Sequence, residues 1–451
     1  MSKVVHLLND FDKVSSKQWK QKIQVDLKGE DYQTLITKTI EKIDIKPFYH
    51  YDDFKNFEQI APQQFEIVQE LFLHHEKTAN HIARKALNKG ASYFSFVFDK
   101  KFNIDELIND LQFDRIIFKA QMLDTEFLWN LFQKTEGKSS IFIDPIGHFA
   151  RYGNWFENEQ KDFKKIQEFQ QKIPSDYRFI LIDTSIYKNS GASIVQEIAY
   201  GLSQAVDYIE NLNKNTALQI SFNFATGSHY FFEIAKLKAF RVLWQLILNE
   251  YNLQDNAIIY AQPTLRNKTI LDPYVNMLRT TMEMMSSILG GADFISNIPY
   301  DFIYKKSNEF SERIARNQLI ILQKEAAFNQ AINATEGNYY IEEITAKIAE
   351  KSLSIFKQIE SGGGFLKQLY KEKIQQKISE TAQMEQKQFN EGKIVLTGIN
   401  KYINENEKID KIEKYPFLKK RNYKTLIQPI VPKRLAEEIE KKRLKDLKIS
   451  F

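Results

Sequence analysis

Between Ser92 and Asn297, short runs of β-branched and aromatic residues alternate with longer stretches of helical spacing. The runs are SYFSFVF (92–98), RIIF (115–118), SIFID (140–144), FILID (179–183), LQISFNF (218–224), AIIYA (257–261) and DFISN (293–297). Each is apolar on both faces over most of its length, the pattern of a parallel sheet covered on both sides. The intervening stretches include FFEIAKLKAFRVLWQLIL (231–248) and VNMLRTTMEMMSSIL (275–289), which read as helices. Seven strand–helix units, with a weak eighth strand near Ala331–Ala334, predict an α/β fold. The expected form is a (β/α)8 TIM barrel over residues 61–340. Because the eighth strand is weak, an open doubly wound sheet is the alternative.

The flanks differ in pattern. Residues 1–60 read as an arm, with a helix-like DYQTLITKTIEKI (31–43) and then an extended KPFYHYDDF (46–54). A stretch of that kind lies along another surface, its own or a partner's. Residues 341–451 read as a helical, charged extension. SGGGFLKQ (361–368) breaks that pattern as a helix end rather than a phosphate loop, since no strand precedes it. The 49 residues after Tyr402 are too few for another ordinary domain.

Composition narrows the chemistry. With 43% hydrophobic and 27% charged residues, the 451-residue chain is globular rather than disordered. A net charge of +5 is too small and dispersed to predict nucleic-acid binding. No apolar run reaches the roughly 18–20 residues of a membrane span, and the N-terminus lacks a secretory pattern. There are no cysteines, which excludes thiolate chemistry and fits a reducing cytoplasm. The seven histidines form no His-x-x-x-His pair, and His74, His75 and His81 sit in a polar, helix-like segment. No metal site is expected from them.

Three predicted strands end in aspartate: Asp99, Asp144 and Asp183. Converging on one barrel mouth they would hold a divalent ion for metal-assisted chemistry. The plainer reading is that each caps the turn or helix that follows. In FILIDTSIYKNSGASIVQEIAYGL (179–202), Ser193 and Gln196 match a capping box. The helix beyond them puts Ile194, Ile198, Leu202, Ala205, Val206 and Ile209 on one face. The preceding turn carries only Tyr187 and Lys188 as titratable groups past Asp183, and neither GxSxG nor GxGxxG occurs there.

Several phrases together resemble the adenosylcobalamin-dependent acyl-CoA mutases, specifically methylmalonyl-CoA mutase. They are KQKIQVDLKGEDYQTLITKTIEKIDIKPFY (20–49), SGASIVQEIAYGLSQAVDYI (190–209), FFEIAKLKAFRVLW (231–244), DPYVNMLRTTMEMMSSILGGAD (272–293), FSERIARNQLIILQKE (310–325) and EGKIVLTGINKY (391–402). The resemblance implies a (β/α)8 barrel that threads acyl-CoA through its centre, joined in catalytic chains to a C-terminal cobalamin-binding domain. The Asp-x-His-x-x-Gly motif of that domain does not occur in this sequence. Against the family's Arg-Gln-Tyr-Ala-Gly-Phe phrase, FEIVQELFLHHEKTAN (65–80) puts Glu70 at the catalytic tyrosine and Val68 at the arginine. Against Gly-Tyr-His-x-x-x-x-Gly-Ala, Ile186 takes the place of the histidine. A His-x-Gln of the cofactor-facing loop reads Tyr260-Ala261-Gln262, so only Gln262 is retained.

Small, catalytically silent subunits exist in this family, and IFIDP (141–145) with the IDTSIY turn resembles theirs. The resemblance therefore implies a non-catalytic small subunit of a heterodimer. Its large partner would bind adenosylcobalamin and isomerise (R)-methylmalonyl-CoA to succinyl-CoA, and this chain would bind no cofactor. On that reading the N-terminal arm embraces the partner. Acyl-CoA affinity of the barrel itself is left open, since Lys and Arg residues can hold phosphates without turnover. The alternative is an independent barrel enzyme acting through Asp99, Asp144 and Asp183.

Overall fold

The computed structural model describes residues 12–53, 64–212, 218–330, 333–404, 411–418 and 423–446. Eight parallel strands close into a barrel surrounded by helices. In chain order they are β1 (Glu66–Phe72), β2 (Tyr93–Phe98), β3 (Ile116–Ala120), β4 (Ser140–Ile143), β5 (Ile180–Asp183), β6 (Ile220–Thr226), β7 (Ile258–Pro263) and β8 (Phe294–Ser296). The expected (β/α)8 architecture is what forms, and each of the seven predicted strands falls within two residues of its predicted bounds.

The eighth strand is not where the sequence pattern put it. Residues 333–337 form turns, and Ala331 lies outside the described residues. The barrel closes instead through β1, which pairs with β8 (Phe294↔Glu66, Ile295↔Ile67) and with β2 (Val68↔Tyr93). The segment EIVQELF escapes a strand reading because two acids and a glutamine interrupt its apolar run. In the closed barrel, Glu70 faces an interior that is polar at that level.

The barrel interior is filled at one end by side chains two residues apart along the strands, following the strand period. Val68, Ile117, Phe142, Leu181 and Tyr260 form a cluster of their own, with Tyr93, Ile258 and Phe294 packed against it. The alternate positions, such as Phe94, Phe96, Phe98 and Phe118, point outward into the main core beneath the helices.

The arm departs from its reading. DYQTLITKTIEKI is helical only at Tyr32–Leu35, a single 3₁₀ turn capped by Asp31; Thr37–Lys38 and Asp44–Ile45 form a two-stranded antiparallel ribbon, with a positive φ at Lys42 in its turn. The arm's helix is Ser16–Asp26, closed by a Ser15–Gln18 capping box. KPFYHYDDF lies along the chain's own surface over its described residues, with Tyr49 against Tyr340 and Tyr51 against Tyr339. From the ribbon, Glu41 places its carboxylate on the start of helix Ile194–Asn211, accepting from the N–H groups of Ile194 (2.8 Å) and Val195 (3.1 Å). A carboxylate suits that position because unpaired N–H groups and the helix dipole both favour negative charge there.

Helix Ile194–Asn211 has the predicted capping box, and the predicted apolar stripe is buried. Its polar face is buried as well, including Glu197, Ser203 and Gln204. Glu197 meets Thr184 and Lys236 and Gln204 meets Tyr187 and Asp144 on the barrel side, while the C-terminal helices Tyr339–Ser361 and Phe365–Tyr370 pack against the helix as an outer layer. Between them Gly363 and Gly364 take positive φ values, so SGGGFLKQ is a helix end as expected. Two further helices follow, Lys373–Asn390 and Glu437–Asp446. The described stretches 411–418 and 423–436 between them are irregular.

Those irregular stretches form a strap across the C-terminal face of the barrel. Glu413 N–H donates to the Tyr304 carbonyl, Leu426 to Gly153, Ile430 to Ala150, Lys433 to Asn189 and Leu435 to Arg266. The strap thereby touches the loops after β4, β5, β7 and β8. Among the described residues no helix is long and apolar enough to cross a membrane.

Candidate functional site at the barrel mouth

Above the filled floor, at the C-terminal ends of the strands, the barrel opens into a cavity of about 430 Å³. Active sites of such barrels form at this end, because the loops after the strands converge there. The floor beneath is aromatic. Tyr260 stacks on Phe294 with ring centroids 4.6 Å apart, Phe142 meets Tyr260 edge-on at 5.7 Å, and Tyr93 meets Phe294 edge-on at 5.1 Å. Burial raises the Tyr260 hydroxyl well above the ordinary tyrosine range, so it stays protonated near neutral pH.

One strand period above the floor, the inward residues become polar. Glu70 on β1 pairs with Lys119 on β3 at 2.6 Å, and the Ser95 hydroxyl donates to Glu70 at 3.4 Å. On the opposite wall, Arg151 pairs with Asp183 at 2.6 Å, and the Asn223 amide donates to the same carboxylate at 2.8 Å. Asp183 also accepts from the Ser185 hydroxyl at 2.5 Å, which fixes the turn after β5.

Asp144 does what the capping reading expects. It is the N-cap of helix Pro145–Tyr152 and accepts from the Gly147 N–H. Its Oδ1 also accepts from the Tyr208 hydroxyl (2.6 Å) and the Gln204 amide (2.7 Å), and its Oδ2 from the Asp183 N–H (3.2 Å). Burial still pushes this carboxyl up to about 6, because four donors only partly replace the water it has lost. Asp99 is exposed at the end of β2 and does not line the cavity. Asp144 and Asp183 therefore share the cavity wall while Asp99 stands apart, and the three do not converge. Among the described residues no group of three acids and histidines is placed to hold a metal ion.

Ile186 lines the cavity from the turn after β5, which is a short helix (Ser185–Asn189) rather than an irregular loop. It is 1% exposed and belongs to the main core. Gln262 also lines the cavity, while Tyr260 two residues earlier is part of the floor. Of the five positions singled out by resemblance, Glu70, Ile186 and Gln262 face one cavity, and Val68 and Tyr260 lie in the floor beneath it.

The sequence reading missed Lys119, Arg151, Asn189, Asn223, His148 and Glu312, all of which line the cavity. Two of them carried a signal. Lys119 and Asn223 are polar residues inside otherwise apolar strands, at the alternation that faces the barrel interior. Glu312 comes from a helix beyond β8, and burial pushes it up to about 7. His148 stacks on Phe156 at 3.7 Å, and burial beside Arg151 lowers it to about 4, so it is uncharged near neutral pH.

Eight parallel strands closed on themselves, with polar side chains gathered at their C-terminal ends, define a (β/α)8 barrel with a site in the usual place. Residues 132–449 match the family model described as methylmalonyl-CoA mutase. The chain is 30% identical over 417 residues to the methylmalonyl-CoA mutase small subunit of Porphyromonas gingivalis, covering 83% of this chain and 67% of that one. It is 25% identical over 421 residues to the small subunit of Propionibacterium freudenreichii subsp. shermanii, covering 82% and 65%. With the large subunit of the same organism it shares 31% identity over 230 residues, covering 49% and 32%. This chain belongs to the methylmalonyl-CoA mutase family. It spans about two thirds of the length of these small subunits and about a third of that large subunit.

Proposed function

We propose that this chain is a non-catalytic barrel subunit that supports a larger catalytic chain of the same family. On this proposal the larger chain binds adenosylcobalamin and isomerises (R)-methylmalonyl-CoA to succinyl-CoA. The observation that carries the reading is the aromatic floor. An acyl-CoA threaded along the barrel axis would have to pass Tyr260, which is 5% exposed and stacked on Phe294.

Three further observations support it. Glu70 stands where the resemblance calls for the catalytic tyrosine and is held by Lys119. Ile186 stands where it calls for histidine, and an isoleucine neither gives nor takes a proton. General acid–base groups contribute roughly 10²–10⁴ in rate, so these replacements alone would cripple turnover. The mouth also does not fit a flat macrocycle seated on it. Lys433 N–H donates to the Asn189 carbonyl, Pro432 lines the cavity, and the Lys414 ammonium sits 4.2 Å from the Phe302 ring centroid. That cofactor would supply the radical chemistry on the partner.

The arm favours a partner-contacting role. Helix Ser16–Asp26 buries none of its residues against the barrel, and its Trp19 and Val25 are 43% and 71% exposed. Trp19 stacks one face on Phe48 at 4.5 Å, and the apolar surface this helix still leaves open suits a surface that a second chain covers.

Co-expression with the large family member, followed by size-exclusion chromatography and a mutase assay, tests the proposal. The expected result is co-elution, with all activity lost when the large chain's cofactor is withheld and none in this chain alone. Separate elution at micromolar concentration, with the large chain fully active alone, would overturn it.

A further inference from the structure

The cavity above the floor is chemically biased in a way the subunit role does not use. Its wall carries two cations, Lys119 and Arg151, and four acids, Glu70, Asp144, Asp183 and Glu312. Both cations are already committed, to Glu70 and to Asp183, at 2.6 Å each. An entering anion would have to draw Lys119 or Arg151 from its partner and leave a half-buried carboxylate uncompensated. It would also meet a wall on which acids outnumber bases.

The polar groups left over carry no charge. Asn189, 5% exposed, uses its Oδ1 to accept from the Thr264 hydroxyl (2.8 Å) and the Leu265 N–H (2.7 Å). Its Nδ2 donor has no hydrogen-bond partner among the described residues, and neither has the side-chain amide of Gln262. Leu181, Ile186 and Phe142 complete an apolar side. A concave, mainly apolar pocket with a few convergent polar groups is the form of a small-molecule site.

We propose that the barrel mouth binds a small, uncharged molecule bearing a carboxamide or ketone group, and discriminates against acids of the same shape. The ligand's carbonyl accepts from Asn189 Nδ2, Gln262 supplies a second hydrogen bond, and the apolar part rests on Leu181 and Ile186. Binding here is read on this chain without a partner, so failure of this test and failure of the subunit proposal are distinguishable.

Matched pairs separate charge from shape: nicotinamide against nicotinate, and benzamide against benzoate. Each is titrated into the full chain and followed by ligand-observed NMR and calorimetry. The amides are expected to saturate in the millimolar range suited to ligands of this size, and the acids to bind at least about tenfold more weakly. Gln262→Leu is expected to weaken amide binding about fivefold, the loss of one hydrogen bond. Asn189→Asp, which keeps the Oδ1 acceptor and removes the donor, gives a second variant should the first fail to fold. Acids binding as tightly as amides, no saturable amide binding, or amide binding unchanged in both variants would each overturn the proposal.

Discussion

The floor and the mouth of this barrel lie one strand period apart and are built on opposite principles. At the floor, Val68, Ile117, Phe142, Leu181 and Tyr260 fill the interior with apolar surface, and stability comes from burial and ring packing. At the mouth, Glu70, Lys119, Asp183 and Asn223 answer one another by hydrogen bonds and ion pairs around a cavity. In (β/α)8 barrels generally the lower level is packed core and the site lies above it, at the C-terminal ends of the strands. Here the lower level is closed by side chains, while the upper level is an ordered polar wall around a cavity.

The largest test of that contrast is Tyr260→Ala. Removing a buried ring that stacks on Phe294 is expected to cost about 3–5 kcal/mol, read by urea denaturation. A loss below about 1 kcal/mol would mean that the floor is not packed as described. Glu41→Ala, which strips two N–H partners from the start of the helix behind the mouth, should cost about 2 kcal/mol. Limited proteolysis should then cut the arm faster while the barrel stays protected. Equal protection in the variant would detach the arm from the mouth's support.

A smaller effect is expected at the Glu70–Lys119 pair, whose side chains are 29% and 17% exposed and partly screened. Lys119→Met should cost about 1 kcal/mol, and a cycle with Glu70→Gln should return most of it as coupling. Additive losses would mean that the two groups do not act as a pair.

The smallest effect is a pH slope. Burial raises Glu312 from its ordinary 4.5 to about 7, so between those values the folded chain keeps a proton that the unfolded chain has released. Its contribution to stability is full below about 4.5 and is lost as pH rises through about 7. Asp144, raised to about 6, acts in the same direction, while His148, lowered to about 4, opposes both between about 4 and 6.5. Glu312→Gln removes only the first contribution, so stability measured from pH 5 to 7.5 should fall less steeply than in the parent chain. Ser307, Arg316 and Lys414 favour its charged form while Asp301 opposes it, and an unchanged slope would mean that the first three compensate its burial.

Much of the barrel was legible because buried parallel strands and their covering helices leave unmistakable runs. Ser193 and Gln196 announced their helix, and the glycines at 362–364 announced a helix end. What misled was local pattern without its surroundings. β1 looked too polar to be a strand because Glu70 answers Lys119, 49 residues away in sequence. DYQTLITKTIEKI looked helical because its spacing says nothing of the ribbon turn at Lys42.

The amino-acid sequence by itself determined the fold class and the family, since these depend on residue identity and local order alone. Only the tertiary structure decided that Tyr260 closes the floor, that Asp144 and Asp183 are held by separate partners while Asp99 stands apart, and that Asn189 and Gln262 turn unused amides into one cavity. Those outcomes depend on which strands become neighbours and on which side chains meet across a closed barrel. No window of sequence contains that information, because the groups that meet come from distant parts of the chain.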